Sequence, residues 1–175
     1  MSLKKVPAGS KAPEAFNVVI EISANSLPIK YEVDEETGVL FVDRFMGTSM
    51  SYPLNYGFIP QTLGEDGDPL DVLVFTPFPL PPGVVVPCRA LGMLDMDDEA
   101  GGDSKLIAIP TEKILPHFKH VQKMEDLGEL LLKQVQHFFE HYKDLEAGKW
   151  VKVKGWQDAD AAKAEIVRSI ERVKK

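Results

Sequence analysis

Over roughly the first 110 positions apolar residues gather in short runs, and after that their period changes. Residues 16–22, 29–33, 39–45, 71–76, 84–94 and 105–109 are rich in Val, Ile and Phe, and clusters of Gly and Pro separate them. β-Branched and aromatic runs bounded by turn formers predict strands. Glu36-Thr37-Gly38 predicts a hairpin turn between the second and third runs. No helical pattern intervenes, so the expected fold is a small antiparallel barrel or sandwich and not a βαβ arrangement.

Beyond Pro110 the spacing becomes helical. Asp126, with Glu129 three residues on, resembles a capping box. Leu127, Leu131, Val135, Phe138 and Tyr142 then form one stripe, and Gly148 is a natural stop. The prediction is a helix near 126–146. A short strand over 149–155 carries Trp150, and Asp158 caps a last helix near 158–174, with Ile166, Val167, Ile170 and Val173 on one side. Its end is basic (Arg168, Arg172, Lys174, Lys175), as the helix dipole favours. Without repeats, low-complexity stretches or a long linker, residues 1–175 read as one domain, mainly β (α+β).

Composition narrows the function classes. A chain of 175 residues can bury a sizeable core without disulfides. Its net charge of −7 lacks the positive field that drives binding to nucleic acid or anionic lipid. With 44% hydrophobic and 27% charged residues it is an ordinary globular sequence, not a disordered one. The lone Cys88 excludes an intramolecular disulfide and a Cys-rich zinc site, and reads as a small buried hydrophobe. Residues 1–10 have lysines but no apolar signal-peptide core. The uncharged run 72–88 holds five prolines and cannot span a bilayer as a helix. A cytoplasmic protein with no membrane or nucleic-acid partner is expected.

Candidate chemistry sits in the strand half. Asp66-Gly67-Asp68-Pro69-Leu70-Asp71 sets three carboxylates in six residues, and Asp71 opens an apolar run that holds it at the edge of the core. Such hard oxygens suit Mg²⁺, Mn²⁺ or Ca²⁺. An EF-hand is excluded, because the twelfth position from Asp66 is Pro77 and not Glu. A second acidic cluster comprises Asp95, Asp97, Asp98, Glu99 and Asp103, followed by Lys105. By strand alternation Lys30 and Glu32 share a face, Glu21 lies opposite the apolar face of its run, and Arg44 shares its face with Val42 and Leu40. Together these suggest a cavity lined with both signs, suited to a small anion held through metals. A competing signal is His137-Phe138-Phe139-Glu140-His141, which matches the H-x-x-E-H zinc-peptidase pattern. Phosphate-binding Gly-rich loops and nucleophile elbows are absent.

The segment Asp66 to Val72 resembles the D-x-D-P-x-D-V signature of family I soluble inorganic pyrophosphatases in their short bacterial form. So do Ile29-Lys30-Tyr31-Glu32, Phe41-Val42-Asp43-Arg44-Phe45, Tyr52-Pro53-Leu54-Asn55-Tyr56-Gly57, Asp98-Glu99-Ala100-Gly101 with Asp103 and Lys105, and the stretch from His137 through Trp150. The resemblance spans essentially the whole chain. It implies a five-stranded OB-like barrel with external helices. It also implies hydrolysis of pyrophosphate to two orthophosphates by direct attack of a water activated by several Mg²⁺ ions, with Mn²⁺ and other hard divalent ions as alternatives.

Carried over by position, Asp66, Asp71 and Asp103 hold the first metal, and Asp71 bridges to the second. Asp98 with Asp103 takes a substrate-borne metal, while Asp97 beside it offers a rival carboxylate. Asp68 orients and deprotonates the water. Lys30, Arg44, Lys105, Tyr56, Tyr142 and Lys143 contact phosphate oxygens, and Glu21, Glu32 and Tyr52 line the site. The family further implies a homo-oligomer, commonly a hexamer. A helix face bearing Leu130, Gln134, His137 and His141 is a candidate subunit contact. The competing readings are a non-enzymatic OB-like binding module and a zinc hydrolase built on His137, Glu140 and His141.

Overall fold

The computed structural model describes residues 5–34 and 36–174. In chain order the strands are β1 (Phe16–Ile22), β2 (Ile29–Val33), β3 (Leu40–Phe45), β4 (Asn55–Phe58), β5 (Asp71–Val74), β6 (Val85–Asp98), β7 (Gly101–Gly102), β8 (Lys105–Pro110) and β9 (Val151–Asp158). The α-helices are α1 (Glu129–His141) and α2 (Ala159–Val173). Pairing runs β1–β4–β5–β8–β6 and returns from β6 to β1, which closes a ring of five strands. Closure pairs every ring strand on both sides and leaves no open edge in the ring. The distal half of β6 continues outside the ring to pair with β7 and β9, and β2–β3 form a separate hairpin. The Asp34 carboxylate organises that hairpin's turn by accepting from the Thr37 backbone N–H at 2.7 Å, and Gly38 takes φ 71°.

One ring pair, β5–β8, is parallel, where an all-antiparallel barrel was expected. The chain runs along β6 before returning as β8, so β8 arrives in the direction of β5. The short strand β4 was not anticipated, since Asn55 and Gly57 are poor strand formers. Its place depends on the missing side chain of Gly57: a Cβ there would lie 1.8 Å from the Val19 carbonyl oxygen. Only glycine lets β4 approach β1 so closely.

Alternate strand residues divide between two apolar clusters, as period-2 geometry requires. Leu73 and Ile107 join Ile22, Leu94 and α1 residues Val135, Phe138 and Phe139 in one. Val72, Val74, Leu106 and Ala108 join Cys88 and α2 residues Ala162 and Ile166 in the other. Cys88 is fully buried, and burial pushes its thiol up, out of reach of nucleophilic chemistry.

Helix α1 begins three residues later than predicted. Residues Met124–Leu127 form a 3₁₀ turn in which Asp126 accepts from the backbone N–H groups of Gln122 and Lys123. Gly128 at φ 96° then separates this turn from α1, and the helix ends at His141 with turns over 142–145. Asp158 caps α2 as expected, accepting from Ala161 N–H at 2.9 Å. The expected apolar side of α2 is corrected: Val167 and Val173 are exposed, and the buried face is Ala162, Glu165, Ile166 and Ser169. Among the described residues no helix is long and apolar enough to cross a membrane. Met1–Lys4 of the N-terminal stretch and Lys175 of the basic end lie outside the described residues.

Candidate active site

Parallel pairing sets the first residues of β5 and β8 at the same end of the barrel, and these are Asp71 and Lys105. Their side chains share strand parity with Leu73 and Ile107, so both face the α1 side. The loop entering β5 brings Asp66 and Asp68 to that end, where Gly67 at φ 93° supplies the left-handed backbone a tight Asp-Gly-Asp turn needs. Strand β6 ends there at Asp98, Asp103 lies two residues before β8, and Tyr142 and Lys143 directly follow α1. On the hairpin, Lys30 and Arg44 are cross-strand partners.

One cavity of about 190 Å³ collects Asp66, Asp68, Asp71, Asp98 and Asp103 opposite Lys30, Arg44, Lys105 and Lys143, with Tyr52, Tyr56 and Tyr142 in its wall. Glu21 and Glu32 line an adjoining cavity of about 200 Å³, which shares Lys30, Tyr56, Asp68 and Asp71 with the first. The structure therefore gathers the anticipated site residues at one place, with the two glutamates set to one side.

Charge is unevenly matched within the cavity. The Lys105 ammonium is bonded to both Asp71 and Asp103, and Lys105 is only 3% exposed. Burial alone would lower its pKa, but the two carboxylates outweigh burial and hold it well above the usual value. One ammonium thus serves two carboxylates. Asp103 is pushed up by burial and by the Asp71 charge, with Lys105 offsetting only part, and burial also pushes Asp66 up. The second buried lysine, Lys143, donates to Asp98 at 2.7 Å. Negative charge is in excess, which is the condition a bound cation relieves.

The tyrosines are core residues and cavity residues at once. Tyr52 packs against Tyr56 and Phe138 with ring centroids 4.9 and 4.6 Å apart, and Tyr142 lies 5.2 Å from Phe138. Pairs of this kind contribute about 0.5–1.5 kcal/mol each beyond buried area. Burial raises all three phenols, so they meet the cavity as neutral hydrogen-bond donors.

Side-chain direction bears on two ambiguities of the sequence. Asp97 turns from the cavity to pair with Lys154 at 2.7 Å, so Asp98 is the carboxylate that faces inward. The His137-x-x-Glu140-His141 segment lies along α1 with both histidines exposed. His141 Nδ1 pairs with Asp144 at 2.8 Å, and Glu140 accepts from Gln136. Among the described residues no third ligand converges there, and the zinc reading is not supported.

Sequence reasoning gave no role to four contributors. Lys149 and Glu99 also line the main cavity. Lys149, together with the nearby Lys143 charge and a bond from the Trp150 backbone N–H, outweighs burial and holds the Glu99 carboxyl at about 2. Glu146 and Asp43 stand beside Arg44, each at 3.3 Å. Glu99 had stood in the second acidic cluster, and the other three had only a place near residues already singled out.

Glu21 carries a pH signature. Burial raises its carboxyl from 4.5 to about 8, although the Val33 N–H donates to it at 2.7 Å. A carboxyl raised in the folded state stays protonated there while the unfolded chain ionises, so stability falls as pH climbs from about 4.5 toward 8. Urea unfolding in EDTA should therefore give lower stability at pH 7.5 than at pH 5.5, with the slope reduced in Glu21→Gln. An equal slope in both proteins would refute this assignment.

The donor set fits a hard divalent cation: carboxylate oxygens face one cavity with no sulfur or imidazole among them. Among the described residues no three acidic, His or Cys side chains form a ready cage, and Lys105 stands between Asp71 and Asp103. A closed barrel whose end combines surplus carboxylates with a ring of cations and phenols defines a site for a small polyanion and its counter-cations.

The family model for inorganic pyrophosphatase matches residues 18–174. The inorganic pyrophosphatase of Yersinia pestis is 63% identical over 175 residues, covering 100% of both chains. That of Escherichia coli K12 is 62% identical over 174 residues, covering 99% of each. Among solved structures, an inorganic phosphatase of Anaplasma phagocytophilum superposes with a TM-score of 0.96 at 48% identity, covering 98% of this chain and 100% of that one. The inorganic pyrophosphatase of Thermus thermophilus gives 0.92 at 47% identity and full coverage of both. The chain belongs to the inorganic pyrophosphatase family.

Proposed function

We propose that this chain hydrolyses inorganic pyrophosphate to two orthophosphates at the cavity beside Asp71 and Lys105, with Mg²⁺ as the working cation. The observation that carries the reading is the pairing, in one cavity, of surplus carboxylates with Lys30, Arg44, Lys105 and Lys143 in a family of pyrophosphatases. When bound, a hard divalent cation acidifies water and neutralises charge on the phosphates. Asp66, Asp71 and Asp103 would hold it, with Asp98 toward the substrate side and Mn²⁺ an acceptable substitute.

The protein's own groups do the rest. Asp68 orients the attacking water and accepts its proton as the oxygen bonds to phosphorus. Lys30, Arg44 and Lys143 offer positive charge to phosphate oxygens, and Tyr56 and Tyr142 offer neutral O–H donors. As the bridging P–O bond breaks, these fixed donors stabilise charge gathering on the leaving phosphate. Glu21, Glu32 and Tyr52 shape the wall. The full chain is read as one domain working in the cytoplasm, with no nucleic-acid or membrane partner, and as a homo-oligomer, a hexamer by family resemblance. The exposed α1 face with Leu130, His137 and His141 is one candidate contact.

Phosphate release from pyrophosphate, followed with Mg²⁺ and with EDTA, tests this directly. Fast release that EDTA abolishes is expected. A folded protein that releases none with Mg²⁺ present would refute it and return the binding-module reading.

A further inference from the structure

The loop between β4 and β5 carries Asp66 and Asp68, and its neck is closed from within. Thr62 Oγ1 donates to the Ile59 carbonyl at 2.6 Å and accepts from Leu70 N–H at 2.9 Å. Inside the tip, Gly64 N–H donates to the Asp68 carbonyl at 2.6 Å, and Asp68 N–H donates to Asp66 Oδ1 at 3.1 Å. These bonds give the tip a shape but do not fix its position on the barrel.

Position comes from α2. Leu63 N–H donates to the Ser169 carbonyl at 3.0 Å. Arg172 Nη1 donates to the Leu63 carbonyl at 3.2 Å, and Nη2 reaches Glu65 Oε1 at 3.3 Å. Arg172 is itself held, because Nη1 also bonds Glu165 Oε1 at 2.8 Å. Glu165 is anchored in turn by the fully buried Ser169 at 3.2 Å and by Arg168 at 2.6 and 2.9 Å. A carboxylate 8% exposed in a helix interior is costly unless paired. Here the pairing ends on the acidic loop. Arg172 does not line the catalytic cavity.

We propose that Arg172, braced by Glu165, is a positioning residue that clamps the 63–68 tip so that Asp66 and Asp68 face Asp71 and Asp103. The clamp acts on the assembly of the cation site and leaves the chemical step alone. For its consequence on cation binding it rests on the function proposed above. Groups that hold ligands in place typically change metal affinity by about 10- to 100-fold when removed.

Three measurements on the full-length protein test it. In Arg172→Ala, amide exchange over 63–68 in EDTA should accelerate about tenfold or more, while β1 and β8 keep their protection. Mn²⁺ binding by titration calorimetry should weaken about tenfold, and kcat at saturating Mg²⁺ should stay within about twofold of wild type. Arg172→Lys, which keeps the charge but on a single nitrogen, should fall between the two. Unchanged exchange over 63–68 overturns the clamp whatever the metal does, as does unchanged Mn²⁺ affinity in a wild type that binds the ion. A wild type that binds no Mn²⁺ would instead count against the proposed function, and the exchange result would still decide the clamp. If Arg172→Ala does not fold, Glu165→Gln must reproduce the faster tip exchange, or the inference fails.

Discussion

Asp68→Asn should lower phosphate release from pyrophosphate by about a thousandfold at saturating Mg²⁺, while the fold and most of the cation affinity persist. General-base groups contribute about 10²- to 10⁴-fold. Asp68 and Asp71 are the carboxylates placed where the two cavities meet, and Asp71 is taken up by the Lys105 ammonium. The structural bonding of Asp68 uses the backbone, since its N–H donates to Asp66 and Gly64 donates to its carbonyl. An isosteric amide removes only the proton acceptor. Stopped-flow or colorimetric phosphate release, beside circular dichroism and Mn²⁺ titration, separates the effects. A loss below tenfold would remove Asp68 from the role of base, and a parallel loss of cation affinity would move it to the ligands.

Lys105→Met should be the costliest substitution for stability. Lys105 is fully buried, and its ammonium is the charge shared by Asp71 and Asp103. Removing one partner of a buried ion pair costs about 3–5 kcal/mol, because the remaining charge stays buried without compensation. Methionine fills much of the volume, so packing is a smaller part of the loss. Urea unfolding in EDTA should show this directly. Adding Asp103→Asn should recover part of it, because an amide carries no charge to strand. A single-variant loss under about 1 kcal/mol would mean that water or side-chain movement already solvates the pair.

What the sequence made legible follows from how local each feature is. Strands β1, β2, β5 and β8 appear as alternating or continuous apolar runs because their own residues carry the signal. The Asp66–Asp71 cluster stood out for the same reason. Strand β4 did not, because the warrant for Gly57 is the Val19 carbonyl on another strand. The parallel β5–β8 contact was equally hidden, and it is what sets Asp71 beside Lys105. Glu99 and Lys149 meet across the fold, so neither advertises the other. Glu165 carries no local mark of its burial, which rests on Arg168, Ser169 and Arg172.

The return of β6 to β1 has a bearing on how this chain can be cut. Registers such as Phe16 with Cys88 join the first strand to the middle of the sequence. Contacts so distant along the chain are slow to form during folding. A truncation that removes β1 would leave β4 and β6 with unpaired backbone edges lined by Val and Phe, ready to dock on neighbouring molecules as intermolecular β-structure. An emerging polypeptide faces the same hazard in reverse: its first strand can pair with β4 once residue 58 is made, but its other edge stays open until residue 88 and its neighbours have been synthesised.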